Sequence, residues 1–293
     1  MKIKNRKLLK LITACFITST ILLNAQDSTS IFWEITGNGL EKPSYLYGSV
    51  HLIAQSDFFL PDTLEDLLKT CEQIVLEVDL DDPELMTKTQ RLMFMPDKNI
   101  RQLLDENEYK TLEKFFKDSL GLRLEQFGKL KPLFLTQLII PKIINGPLAS
   151  YELKFVQMAA EYKIEVTGLE TIEEQINSLD KIPYDKQAEV VLETVNEFNE
   201  SRVIYSQLID AYKKMDLNNL YELLFKVSKE LQEFEQLLLI DRNKKWVPRI
   251  ENMIKEKSCF IAAGALHLEG EKGLVSLLKS KGYKLKPMLK TAG

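Results

Sequence analysis

Both histidines of this 293-residue chain sit in one frame, Gly48-Ser49-Val50-His51-Leu52 and Gly264-Ala265-Leu266-His267-Leu268. Random placement among so few glycines would put a glycine three residues before both in roughly 0.2% of cases. Each frame closes a short apolar run, Tyr45-Leu46-Tyr47 in one and Phe260-Ile261-Ala262-Ala263 in the other. Runs of that kind read as buried strands, and in open α/β sheets ligands bind in the crevice beyond the strand C-termini. Glycine lets backbone approach a neighbouring strand or a ligand closely. Two such strands side by side would aim two imidazoles at one point. Imidazole is a common metal ligand and the usual acid or base near neutral pH. A lone histidine is more often a hydrogen-bonded core residue; two in matched frames reverse that expectation.

Three acids join them. Glu77 and Asp79 interrupt the apolar stretch Ile74 to Leu80. A buried carboxylate is costly without a partner, and a spacing of two puts both on one strand face. Asp79 also suits a strand-end turn, which leaves Glu77 the harder residue to explain away. Glu170 ends Val166-Thr167-Gly168-Leu169-Glu170, as a site carboxylate or as an acid at a helix N-terminus. His51, His267 and Glu77 would suit a divalent metal ion with open positions, and manganese, cobalt, zinc and iron all accept such donors. The sequence has no H-E-x-x-H, G-x-S-x-G, P-loop or G-x-G-x-x-G, so the zincin and dinucleotide-binding signatures are missing. Ser49 lies on the same strand side as His51, so a Ser–His hydrolase stays open, although no sharp nucleophile turn is evident.

The elements that must position these residues are legible in outline. Ser30 to Gly37 and Ser44 to His51 are β-rich runs split by Gly, Pro and Asn, which predicts a hairpin. Pro61 opens a helix with Leu64, Leu67, Leu68 and Cys71 at helical spacing. Gln73 to Leu80 follows as a strand, giving a βαβ unit. The C-terminal region repeats the plan: a strand at Cys259, a helix over Glu271 to Lys281, and a strand over Tyr283 to Met288. Lys163 to Glu170 is one more strand, and Thr171 to Glu174 caps the next helix. Asn99 to Lys117, Tyr151 to Tyr162, Tyr184 to Met215 and Leu217 to Lys257 read as helices. The expected fold is α/β: a central parallel or mixed sheet built from both chain ends, with a large helical insertion at approximately 83–257, interrupted by the strand near 163–170.

The first 25 residues differ from the rest. Lys2, Lys4, Arg6, Lys7 and Lys10 precede an apolar run to Leu23, and Asn24-Ala25 offers a small residue for cleavage. This reads as an export signal with cleavage near Ala25; the run is short and diluted for a membrane span, and Cys15 sits poorly for lipidation. Residues 26–293 then form one domain with no integral membrane span. Removal of the signal takes Lys+Arg from 39 to 34 against 43 Asp+Glu, a formal charge of −9. Such a chain has no footprint for nucleic acid or for anionic lipid. The remaining cysteines, Cys71 and Cys259, either pair or are buried small residues.

The run from Tyr45 to Leu52, then Ile74 to Asp79, Val166 to Gln175, Leu238 to Ile250 and Phe260 to Tyr283, resembles the TraB/GumN family, which includes the TIKI proteases. The blocks follow the family's order from about residue 31 to 288, and both G-x-x-H motifs are intact. The resemblance implies an α/β core with a helical insertion and a metal-dependent peptidase or related hydrolase, acting on a peptide or protein, while the N-terminal signal makes it exported: periplasmic, secreted or membrane-tethered. It implies metal-binding or catalytic roles for His51 and His267, and catalytic roles for Glu77, Glu170, Arg242 and Asn243, with Glu77 or Glu170 as ligand or general base. A helical arginine such as Arg242 is otherwise usually solvated; here it could clamp a carboxylate, and Asn243 could orient a carbonyl or water. Haem or iron binding, as in ChaN-like proteins, and a non-catalytic regulatory role are the alternatives.

Overall fold

The computed structural model describes residues 30–227 and 234–288; the expected export signal and Cys15 lie outside the described residues. A six-stranded sheet runs in the order β6-β4-β7-β2-β1-β8. Its strands are β1 (Phe32–Gly37), β2 (Ser44–Ser49), β4 (Gln73–Val78), β6 (Glu165–Glu170), β7 (Cys259–Gly264) and β8 (Tyr283–Pro287). β3 (Ile53–Ala54) and β5 (Leu148–Ala149) form a separate antiparallel ribbon. β1 is antiparallel to both its neighbours, β2 and β8, while β2, β7, β4 and β6 pair in parallel. Parallel strands are covered on both faces and so read as near-continuous apolar runs, as Ile74-Val75-Leu76 and Phe260-Ile261-Ala262-Ala263 do, all buried.

The predicted hairpin is present as β1 and β2. The βαβ reading needs one correction. The helix Leu64–Lys69 does connect β2 to β4, but β7 lies between those two strands. The C-terminal unit is split likewise: β8 runs in the direction of β7 yet lies beyond β2 and β1. Both crossovers therefore skip strands contributed by distant sequence, which local patterning cannot reveal. Thr171 caps the helix Ile172–Leu179 in a reciprocal box with Glu174, as the sequence predicts.

Tyr151–Tyr162 is helical over the expected range, whereas the stretch from Tyr184 divides into Tyr184–Asn196 and Phe198–Lys213. The stretch from Leu217 contains the helices Leu217–Val227 and Asp241–Glu256, with a wide turn at Gln236–Ile240 between them. The helix Pro132–Ile144 went unpredicted: Leu, Ile and Phe occupy most of its sides, so it shows no amphipathic period. Pro132 stands at its first position, where its missing N–H costs nothing. It packs in a second apolar core, with Leu135 and Ile139 against Tyr109, Leu112 and Val191, beside the core that covers the sheet. Cys71 and Cys259 are free, buried thiols. Among the described residues no helix is long and apolar enough to cross a membrane.

Candidate functional site

β2 and β7 are neighbours in parallel register, Gly48 opposite Ala263 and Ser49 opposite Gly264. The two G-x-x-H frames therefore leave the sheet side by side. The glycines serve different needs. A Cβ on Gly48 would lie 2.9 Å from Ala265 Cα, so Gly48 lets the second frame turn over the first. A Cβ on Gly264 would lie 3.3 Å from Glu77 Oε1, 3.6 Å from His267 Cδ2 and 3.8 Å from His51 Nε2. Gly264 thus keeps clear the space into which all three groups point.

Glu77, on the adjacent strand β4, is the hub. Its Oε1 accepts the Gly264 N–H at 2.8 Å, and the Nε2 atoms of His51 and His267 each lie 3.9 Å from that same oxygen. Its Oε2 accepts from Arg242 Nη2 at 2.5 Å and from Gln175 Nε2 at 3.4 Å. Burial alone would raise the carboxyl pKa, but Arg242, the histidines and the Gly264 amide outweigh it, holding Glu77 well below the usual range.

The helix Asp241–Glu256 supplies the lid. Arg242 lies over the Trp246 ring at 4.5 Å and donates through Nε and Nη2 to Glu170 Oε1 at 3.0 and 2.6 Å. Trp246 Nε1 donates to the other Glu170 oxygen at 3.1 Å. Asn243 Nδ2 donates to the carbonyls of His267 and Lys272, at 3.1 and 2.9 Å. That leaves Asn243 Oδ1 to accept from His267 Nδ1, 2.7 Å away. The assignment fixes His267 as the Nδ1–H tautomer with an accepting Nε2, towards which Arg242 Nη1 points at 3.2 Å. Burial, reinforced by Arg242 and resisted by Glu77, depresses the His267 pKa to about 3.

His51 is held differently. Its Nδ1 lies 3.0 Å from Glu152 Oε1. Ser49 donates to that oxygen at 2.6 Å, and Ser150 to the other at 3.0 Å. Burial among protein groups would lower its pKa, but the Glu152 hydrogen bond and the charges of Glu77 and Glu152 raise it to about 9. The side chain is nonetheless 66% exposed, so solvent screens part of that attraction. Because the Ser49 hydroxyl is committed to Glu152, it is not arranged as a nucleophile on His51.

Among the described residues no three His, Cys, Asp or Glu side chains are already gathered into a metal-ligand group. The donors do fit one by chemistry. Each imidazole has its Nδ1 hydrogen engaged, leaving Nε2 for an ion, the arrangement seen around metal-binding histidines. Two donors about 2.1 Å from one ion lie at most about 4.2 Å apart, and both 3.9 Å separations fall inside that limit. Charge points the same way. Three carboxylates, Glu77, Glu152 and Glu170, stand against one guanidinium, Arg242, so once His51 gives up its proton to a metal two negative charges are left over, the complement of a divalent ion. Arg242 Nη1 would have to release His267 Nε2 for an ion to take it.

The sequence profile of the TraB/PrgY/gumN family matches residues 31–287. The chain belongs to the TraB/PrgY/gumN family. Among curated proteins it is similar to Metalloprotease TIKI2 of Danio rerio, 20% identical over 90% of this chain and 62% of the relative. It is similar too to Metalloprotease TIKI2 of Xenopus tropicalis, 21% identical over 89% of this chain and 60% of the relative. The chain thus spans about 60% of the length of those relatives. No solved structure matches it.

In this TraB/PrgY/gumN chain all six residues singled out by motif, His51, Glu77, Glu170, Arg242, Asn243 and His267, meet in one network. Asp79 does not: it lies past β4 and accepts the Asp81 amide at 3.3 Å, a turn role. Sequence reasoning missed Glu152, Trp246 and Gln175. Glu152 sits in the first turn of the helix Tyr151–Tyr162, where acids are expected for dipole reasons alone. Trp246 carried a usable signal, since it stands four residues after Arg242 and so on the same helix face.

Proposed function

We propose that this chain is an exported, metal-dependent hydrolase acting on peptide bonds, with His51, His267 and Glu77 holding one divalent ion. The convergence of both Nε2 atoms on one Glu77 oxygen carries this reading, and the TIKI2 metalloprotease relatives support it. The metal is manganese, cobalt, zinc or iron; when bound, it would polarise the scissile carbonyl and activate a water. The side chains supply the rest. Glu152 and Asn243 fix the two imidazoles through their Nδ1 hydrogens. Glu170 and Trp246 hold Arg242, whose Nη1, once released from His267, can donate to the oxygen that becomes negative as the carbonyl is attacked. Glu170 has both oxygens occupied, so it acts by positioning Arg242 rather than as a base.

The test is metal analysis of the purified protein, with cleavage of a peptide library in chelator and after adding back each ion. Chelator-sensitive cleavage, lost in His51→Ala and His267→Ala, is expected. Tight metal binding without any cleavage, or a Soret band on haem addition, would move the assignment to a binding role. Export rests on the basic and apolar N-terminal segment; N-terminal sequencing from the native host should begin near Gln26, and an intact Met1 would overturn it.

A further inference from the structure

Beside His51 the sheet core and the helical core leave a seam, and a groove of about 590 Å³ runs along it. Val50, His51 and Leu52 form one wall. The other walls come from the insertion helices: Ile140 and Ile143 from Pro132–Ile144, Val190 from Tyr184–Asn196, and Ile204 and Leu208 from Phe198–Lys213. Two of its polar residues, Thr136 and Thr194, present carbon. Thr136 Oγ1 donates to Leu133 O at 2.6 Å and Thr194 Oγ1 to Val190 O at 2.8 Å, so both hydroxyls are spent on their own helices. Glu193 and Glu197 line the groove as well, adding negative charge.

We infer that this groove is the substrate-side-chain subsite of the proposed peptidase, and that it takes a peptide segment of two or three bulky aliphatic or aromatic residues next to the scissile bond. The inference rests on the hydrolase reading for its position: His51 is at once a wall of the groove and a member of the candidate site, so a bond presented there continues into the groove. The volume lies within the about 300–1,000 Å³ that encloses a ligand of several groups rather than one side chain. Leucine or phenylalanine side chains gain from leaving water for such walls. The Glu193 and Glu197 carboxylates, with Glu152 nearby on His51, disfavour an anionic occupant such as a fatty acid or an acidic peptide.

The test separates binding from turnover. Fluorescence anisotropy in chelator compares a labelled decapeptide centred on Leu-Ile-Leu with its Ser-Thr-Ser counterpart. The apolar peptide should bind at least about tenfold tighter. Leu208→Asp and Ile140→Asp should erase that difference. Ile204→Trp, which stays apolar and narrows the groove, should shift preference to Ala-Val-Ala, with an unchanged urea-unfolding midpoint as the control for folding. Equal affinity of both peptides for the unmodified chain overturns the proposal, as does palmitate displacing the apolar peptide at lower concentration than the unlabelled peptide does. Selective apolar binding without cleavage on adding manganese, cobalt, zinc or iron supports the groove while removing the peptidase reading.

Discussion

Arg242→Ala isolates the charge balance of the site. In the unmodified chain one guanidinium reaches Glu77 Oε2 at 2.5 Å and Glu170 Oε1 at 2.6 Å, with all three side chains largely excluded from water. Its removal leaves two buried carboxylates without their cation. Breaking a buried pair in this way costs about 3–5 kcal/mol, most of it the burden of the stranded charge. For a chain of this size that corresponds to a fall in Tm of roughly 6–20 °C. Urea unfolding in chelator at neutral pH measures it, and pH provides the sign. In the unmodified chain the depressed pKa of Glu77 stabilises the fold above the ordinary carboxylate value and fades as pH falls below it. In the variant Glu77 loses its largest opposing charge, so its pKa rises from the depressed value and part of the lost stability returns as pH falls through the carboxylate range. The two stability curves should therefore converge on acidification. A loss under about 1 kcal/mol, the size of an exposed ion pair, or a gap that does not close in acid, would refute the reasoning.

With two histidines in the chain, imidazole NMR of the metal-free protein resolves each one: His51 should titrate above the ordinary 6.5, towards about 9, and His267 below it, towards about 3. Stability linked to His51 is then present below 6.5 and lost as pH rises through its folded pKa, while that linked to neutral His267 is present above 6.5 and lost on acidification; a common midpoint near 6.5 would contradict both. Glu152→Ala should weaken zinc or cobalt binding by about 10–100-fold, as loss of an outer partner does, whereas Glu152→Gln, whose amide oxygen still accepts the Nδ1 hydrogen, should keep most of it. Calorimetric titration decides, and equal affinity of Glu152→Ala and the unmodified chain would remove Glu152 from the site. Gly48→Ala meets backbone 2.9 Å away and should cost about 1–3 kcal/mol in urea unfolding; Gly264→Ala meets only side-chain atoms of the site, and should lower metal affinity more than stability.

The sequence reached the site more completely than the topology. His51, Glu77 and His267 were legible because each breaks a local rule: a histidine or carboxylate ends or interrupts an apolar strand, where only a partnered group is tolerable. Arg242 and Asn243 came through family resemblance, since an arginine on a charged helix carries no physical anomaly. Glu152 was invisible because its helix-start position already explains an acid. The placement of β7 between β2 and β4 was equally hidden, since pairing across the chain leaves no mark on the periodicity of either strand. The helix Pro132–Ile144 was missed for the opposite reason: apolar residues on most of its sides cancel the period that betrays a surface helix.

Residues 215 positions apart already meet where Cys259 N donates to Ser44 Oγ, at the start of the paired strands that carry the two histidine frames. During synthesis the first frame waits, unpaired on that edge, while almost all of the intervening helices are made. A chain halted anywhere before Cys259 lacks the interior strand β7, the edge strand β8 and one of its two histidines. The candidate site therefore cannot assemble on a nascent chain that has not yet reached Cys259. Both imidazoles and the Glu77 carboxylate come together only when nearly the whole length has been made, so chain order alone sets the site as a late event of folding.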